Sequence, residues 1–338
     1  TGSIALGLRD AGAQVQVLVT CPTELHPDTA LNREPRGEHQ GIPFEYTTGT
    51  TVRPASFWRR RWIGLTSLLR QVGWVTRPGR EAFDVVLIST MSSLTLPLVI
   101  GGISRARGAV LLYEGCELPF VHHRRGFWRW YGRLYARWVF KMYDGVLVVS
   151  EYLARYFARH GRSTVHLIRL PILVDLERFT PQPTRSSPSP PPYVAYAGFL
   201  DPGKGLEDLL RAFALVAARH QAVQLWIAGE GQPAHRQQLQ ALGRALGVHQ
   251  RVQWLGWIPQ ADLPALFAGA RALALPHRAG DHSDASFPTK LGEYLASGRP
   301  VIATQVGEVS RYLTDGVDAY LGPPDDPSAF ADRLDHLL

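Results

Sequence analysis

Cysteine is nearly absent: 338 residues hold two, Cys21 and Cys116, far apart and without CxxC spacing. That argues against a disulfide scaffold or a thiolate zinc site and fits a reducing cytoplasm. Long apolar runs are absent too, none approaching the roughly 18 residues needed to span a bilayer. Acidic residues are missing from two long stretches: 51–80 has seven arginines and no acid, and 118–143 has five arginines, one lysine and no acid. Charged residues make up only 19%, against 45% hydrophobic, which describes an ordered globular chain rather than a disordered one. At this length two cores are expected instead of one.

Short apolar runs alternate with helix-length segments. In the first half these are VQVLVT, FDVVLIS (83–89), AVLLY (109–113) and GVLVVS (145–150), with YLARYFARHG reading as a helix after Ser150-Glu151. The alternation predicts a parallel sheet with helices on both faces. QPTRSSPSPPP (182–192) reads as a linker, extended by its prolines and unable to pack. The pattern then restarts with YVAYAG, QLWIAGEG, RVQWLGW, RALALP, PVIAT and AYLGP. The expected organisation is therefore an α/β domain over 1–180, a linker over 181–192 and a second α/β domain over 193–338. Each is a doubly wound parallel sheet, the two facing across a cleft.

DASFPTKLGEYLASGRPVIAT (284–304) carries the densest chemistry. Pro288 suits a first helical position, Lys290 to Ala296 continue the helix, and Gly298 ends it. Loop N–H groups and the helix dipole favour an anion at such an N-terminus, where Thr289 and Lys290 add a hydroxyl and a cation. Glu293, one turn further in, is placed for a ribose hydroxyl; the same residues also suit an ordinary capped helix. GFLDPGKGLEDLLRAFA delivers Lys204 on a Gly/Pro-rich turn before a helix, an arrangement suited to a diphosphate or to a solvent-facing lysine. Gly229-Glu230-Gly231 closes another strand.

SFPTKLGEYLASGRPVIAT resembles the donor-binding signature of family 4 glycosyltransferases, retaining enzymes of the GT-B fold. Glu293, Ala296, Gly298, Pro300 and Val301 match, Phe287 stands at the aromatic position, and Pro288 marks a Pro-x-Lys-Leu-x-Glu-Tyr subgroup. The signature's first Glu falls at Ala285, with Asp284 adjacent as its replacement on the donor sugar. Gly198, Leu200, Lys204 and Gly205 match the family's Gly-Arg-Leu-x-x-x-Lys-Gly, while Phe199 replaces its Arg. Pro171, Val174, Asp175, Phe179 and Pro181 match the segment that leads into the second domain, Ile172 and Leu173 replacing Asn-Gly. The resemblance implies donor contacts from Gly198, Lys204, Gly229, Gly231, Phe287, Pro288, Thr289, Lys290, Leu291 and Glu293, with Gly256 and Trp257 near the nucleobase. It also implies a strand and loop before residue 1 and further helices after residue 338, so the chain reads as clipped at both ends. The family generally needs no metal, so DHSD (281–284) is not expected to bind one and no cofactor is expected beyond the nucleotide sugar.

Glu114 and Glu117 are expected in the loop after a first-domain strand, where a carboxylate can meet an acceptor hydroxyl. Arg125, Arg129, Arg133, Arg137 and Lys141 repeat every four residues among Trp128, Trp130, Tyr131, Trp138 and Phe140. Such a helix fits an anionic membrane surface, a nucleic-acid groove, or a solvated face over a core. The resemblance favours the membrane, with a lipid-linked or oligosaccharide acceptor, no nucleic acid, and a cytoplasmic enzyme peripheral on the inner face of the plasma membrane. The expected function is transfer of a sugar from a nucleoside-diphosphate sugar in cell-surface polysaccharide assembly. The alternatives are a GT-B sugar-nucleotide epimerase and a non-catalytic nucleotide-sugar-binding protein.

Overall fold

The structure is a computed structural model and describes residues 2–24, 30, 32–76, 83–89, 96–117, 126–179 and 191–338; side chains of 126–129 are outside that description. The expected linker therefore lies almost wholly outside the described residues. Two compact units emerge. The first comprises Thr1–Gly115, Pro119–Leu147 and Tyr156–Ile168, the second Cys116–Leu118, Val148–Arg155 and Arg169–Leu338.

Up to Arg169 the chain forms α1 (Gly2–Asp10), β1 (Val17–Val19), β2 (Arg36–His39), β3 (Ile42–Tyr46), α2 (Phe57–Val75) and β4 (Val85–Ile88). Then come α3 (Gly102–Ala106), β5 (Val110–Gly115), α4 (Gly126–Trp138), β6 (Gly145–Val148), α5 (Glu151–His160) and β7 (His166–Arg169). Two sheets result, ordered β1-β3-β2 and β4-β5-β6-β7. The first is mixed, where alternation predicts only parallel strands: β1 pairs β3 parallel, but β2 and β3 form an antiparallel hairpin. Gln40 and Gly41 both have positive φ (49° and 76°), the backbone twist a two-residue hairpin turn requires.

α2 is amphipathic in the reverse sense. Its buried residues include Ser67 and Gln71, joined to Thr47 by a 2.7 Å Ser67 Oγ–Thr47 Oγ1 bond and by Gln71 Nε2 donating to Ser67 Oγ at 3.0 Å. Trp58, Trp62, Leu65 and Leu69, spaced i, i+4, i+7 and i+11, all face solvent, and Arg59, Arg60 and Arg61 are exposed with them. Beneath α4 lies an aromatic core: Tyr135 packs on Phe140 at 5.3 Å and Phe140 on Phe157 at 5.1 Å, between ring centroids. Asp144 ties the neighbouring loops, accepting from Leu111 N at 3.0 Å and from Arg105 and Arg162 at 2.9 and 2.6 Å.

The remainder forms β8 (Tyr193–Ala197), α6 (Leu206–Ala217), β9 (Gln224–Ala228), α7 (Pro233–Ala245), β10 (Val252–Gly256), α8 (Leu263–Gly269) and β11 (Ala272–Leu275). α9 (Asp281–Ala285), α10 (Thr289–Ala296), β12 (Val301–Thr304), α11 (Val309–Tyr312), β13 (Tyr320–Gly322) and α12 (Pro327–Leu337) complete it. All six apolar runs expected after the linker are strands of one six-stranded sheet, ordered β10-β9-β8-β11-β12-β13 and parallel throughout. Its central strands are buried on both faces, as covered parallel strands must be, and Leu206, Leu210, Phe213, Leu225 and Leu334 join their core.

Candidate functional site

From β8 the chain moves outward through β9 and β10 on one side, then returns to place β11, β12 and β13 on the other. The direction of winding therefore reverses between β8 and β11. In an open parallel sheet the loops leaving the carboxyl ends of two such strands diverge and leave a crevice for ligand. The loops after β8 and β11 hold Gly198 to Gly205 and Pro276 to Gly280, so the sheet itself positions Lys204.

Three glycine-bearing strand ends meet beside that crevice. Gly198 N donates to Ala228 O at 3.0 Å, Gly229 N to Gly256 O at 2.7 Å, and Leu200 N to Glu230 O at 2.9 Å. A Cβ on Gly229 would collide with the Gly198 carbonyl oxygen, and one on Gly231 with that of Leu200. The backbones approach too closely for any side chain, which accounts for the Gly-x-Gly. Phe199, 70% exposed, and Trp257, 58% exposed, stand beyond this junction; Trp257 is not core.

Lys204 ends a short 3-10 turn, and Gly205 (φ 70°) is the N-cap of α6. A Cβ on Gly205 would strike the Pro276 carbonyl oxygen, while Arg278 N donates to Gly203 O at 3.3 Å. The two loops are thus laced together on either side of Lys204. Nearby charges are already matched: Arg278 pairs with Asp325 at 2.9 Å and with Asp208 at 3.6 Å. Lys204, partly buried, has no carboxylate partner among the described residues. His277 is 7% exposed, and its carbonyl accepts from Thr304 Oγ1 at 2.6 Å. Burial, then the positive charge of Lys204 and the proximity of His282, push its imidazole down to about 3, so it is neutral at physiological pH.

α10 docks on the end of β8, where Ala197 N donates to the buried Tyr294 hydroxyl at 2.7 Å. Pro288, expected inside the helix, is its N-cap with extended ψ of 105°, and Thr289 is the first helical residue. Lys290, expected at a phosphate, pairs with Glu293 at 2.6 Å. Phe287 and Leu291 are buried; the Phe287 ring packs edge-on against Tyr312 at 5.3 Å, so these two side chains support the site from within the core. Thr289 remains exposed.

The polar segment before α10 contains α9, on which Asp284 is exposed and Ala285 is fully buried. The Ala285 carbonyl accepts from Ser150 Oγ at 2.7 Å. Glu308, 3% exposed and unremarked in the sequence, accepts from Glu151 N at 2.8 Å and so caps α5. No group of three or more His, Cys, Asp or Glu side chains that could hold a metal ion occurs among the described residues.

In the first unit, Glu114 lies within β5, where a loop was expected, and is 6% exposed; Glu117, on an exposed bend, belongs to the second unit. Of the basic series, Arg125 lies outside the described residues and the Arg129 side chain is not described. Arg133 and Arg137 are exposed on α4, as are Trp130 and Trp138. Lys141 is exposed too, but α4 ends at Trp138 and Lys141 sits on the following 3-10 turn. Among the described residues no helix is long and apolar enough to cross a membrane.

Residues 1–172 match the family described as glycosyl transferase 4-like domain, and residues 191–338 match glycosyl transferases group 1. A phosphatidyl-myo-inositol mannosyltransferase of Mycobacterium leprae is 34% identical over 146 residues, covering 43% of this chain and 37% of that protein. A D-inositol 3-phosphate glycosyltransferase of Mycobacterium bovis is 32% identical over 205 residues, 58% of this chain and 41% of that protein. The matched part is thus about two-fifths of each relative's own length. Among solved structures, sucrose-phosphate synthase from Thermosynechococcus elongatus superposes with a TM-score of 0.73 at 19% identity, covering 99% of this chain and 82% of that one. Anabaena HepE in complex with UDP gives 0.62 at 19% identity, covering 86% and 75%. These likenesses identify the fold as GT-B, built of two Rossmann-like units.

Proposed function

This chain belongs to the family 4 glycosyltransferases, and we propose that it moves a sugar from a nucleoside-diphosphate sugar to an acceptor hydroxyl with retention, in cell-surface polysaccharide assembly. The observation that carries this reading is Lys204, without a carboxylate partner among the described residues, at the reversal point of the second unit's sheet beside the glycine junction. In the reaction the bond between the sugar's anomeric carbon and the diphosphate breaks. A bond to the acceptor oxygen forms on the same face, and the acceptor proton passes to the departing diphosphate. The protein's task is then to stabilise the leaving charge and hold the acceptor. Lys204 and the loop amides serve the first need, with Thr289 and Lys290 at the start of α10. Glu293 meets the ribose once it exchanges its bond with Lys290 for one to a hydroxyl. Asp284 contacts the donor sugar, Glu114 orients the acceptor, and Gly256 and Trp257 border the base.

The acceptor is a lipid-linked or oligosaccharide molecule reached at an anionic membrane surface on the cytoplasmic side. Support comes from the tryptophans and arginines turned outward on α2 and α4. Exposed indole rings suit the headgroup level and arginines suit anionic lipid. The exposed Phe199 in place of an arginine and the buried Ala285 in place of a glutamate favour a second reading, nucleotide-sugar binding without transfer.

Incubation of the protein with a panel of radiolabelled sugar nucleotides and a lipid-diphosphate acceptor extract separates the readings. Acceptor-dependent labelling of lipid supports transfer; conversion of the donor without acceptor would mean epimerisation, and binding with neither would mean a non-catalytic protein.

A further inference from the structure

His277 is a buried polar side chain that the reading above leaves unused. It follows β11 at the reversal point, and three contacts fix its backbone: Thr304 Oγ1 on its own carbonyl, Gly205 against the Pro276 carbonyl, and Gly203 O on Arg278 N. All three come from the two loops and the strand end that frame the crevice. Among the described residues neither ring nitrogen has a hydrogen-bond partner, although the residue is more than nine-tenths buried. Neither nitrogen is among the fully enclosed atoms left without a partner, so each keeps some contact with solvent and stays open to a ligand. Lys204, whose charge acts on His277, also lacks a carboxylate partner among the described residues. An ammonium and an imidazole N–H together match an oxygen anion.

We propose that His277 is a neutral hydrogen-bond donor to the diphosphate of the nucleotide, acting with Lys204 where the family's arginine is replaced by Phe199. The inference rests on the donor-site reading above. Because the imidazole is uncharged, it supplies direction without a further full charge, adding one aligned N–H beside the Lys204 ammonium. Proton transfer plays no part. His277 is here a binding group for the leaving phosphate.

The test is calorimetric titration of the full chain with UDP, GDP and ADP and with the corresponding monophosphates. For whichever diphosphate binds, His277→Ala is expected to weaken it at least ten-fold and its monophosphate much less. His277→Gln, which keeps an N–H, is expected to recover most of the loss. In ¹⁵N spectra of labelled histidine, one protonated ring nitrogen of His277 should shift on adding the diphosphate while the ring stays neutral at pH 6. That signature does not require any variant to fold. Unchanged ring shifts and unchanged affinity in both variants, with the wild type still binding, would overturn the role of His277 and leave the donor site standing. Failure of the wild type to bind any of the three diphosphates would overturn the donor-site reading and this inference together.

Discussion

Replacing Gly205 by alanine should cost both stability and nucleotide affinity, and the size of each follows from the loop contact. Gly205 has φ of 70°, where an L-residue with a Cβ costs about 1–2 kcal/mol. The new Cβ would also overlap the Pro276 carbonyl oxygen and lie 2.8 Å from its carbon. Both atoms are backbone, so the two loops must part, at roughly 1–3 kcal/mol by analogy with overpacked cores. Loss of the Arg278 N–Gly203 O bond adds about 1 kcal/mol. The total, about 3–6 kcal/mol, corresponds to a fall of roughly 6–24 °C in the melting of a unit this size. Gly203→Ala is the control, because a Cβ there meets nothing within 4 Å. Calorimetric melting and nucleotide titration of both variants decide the matter. Gly205→Ala should melt early and bind weakly, and Gly203→Ala should resemble the parent. If the two variants behave alike, the close approach of the loops does not hold the site.

Lys204→Ala should weaken nucleoside-diphosphate binding by about 1.5–3 kcal/mol through loss of a charge-assisted contact, measured by titration calorimetry. Asp284→Asn should lower turnover far more than affinity for the free nucleotide, as steady-state kinetics beside binding data would reveal. His277, held near 3 by burial and by Lys204 and His282, takes no proton in the fold as pH drops below the ordinary value of about 6.5, whereas the unfolded chain does. Stability should therefore decline from about pH 6.5 towards 3, and His277→Gln should flatten part of that decline in denaturant titrations across pH. Sedimentation with anionic vesicles should be strong at low salt and largely lost at high salt, and exchanging Trp58, Trp62, Arg133 and Arg137 for glutamate should abolish it without changing nucleotide affinity.

The six strands of the second unit are readable in the chain because each is a short apolar run bounded by glycine or proline. The β2–β3 hairpin is not readable: β2 is Arg-Gly-Glu-His, almost wholly exposed, and only the positive φ at Gln40-Gly41 makes the turn. α9 hides similarly, since Asp-His-Ser-Asp-Ala has no apolar periodicity and is held by Ser283 Oγ donating to Arg278 O at 2.6 Å. Around the site, Lys204 and the glycines stand out because the backbone there has to turn sharply or approach closely. His277 does not, because the contacts that fix its backbone come from Thr304 and the 203–205 loop, both remote in sequence. The Lys290–Glu293 pair is a matter of rotamers, although the spacing of three residues permits it. Pairing of Ser150 with Ala285, and of Glu308 with Glu151, likewise joins segments that no local pattern connects.

The central claim is that a nucleoside diphosphate binds at the reversal point of the second unit's sheet. A crystal structure of the protein grown with UDP or GDP tests it most directly. The expected result is diphosphate density between residues 198–205 and 276–278, with the Lys204 Nζ within hydrogen-bonding distance of a phosphate oxygen. A nucleotide ordered elsewhere on the chain, with Lys204 pointing to solvent, would contradict it.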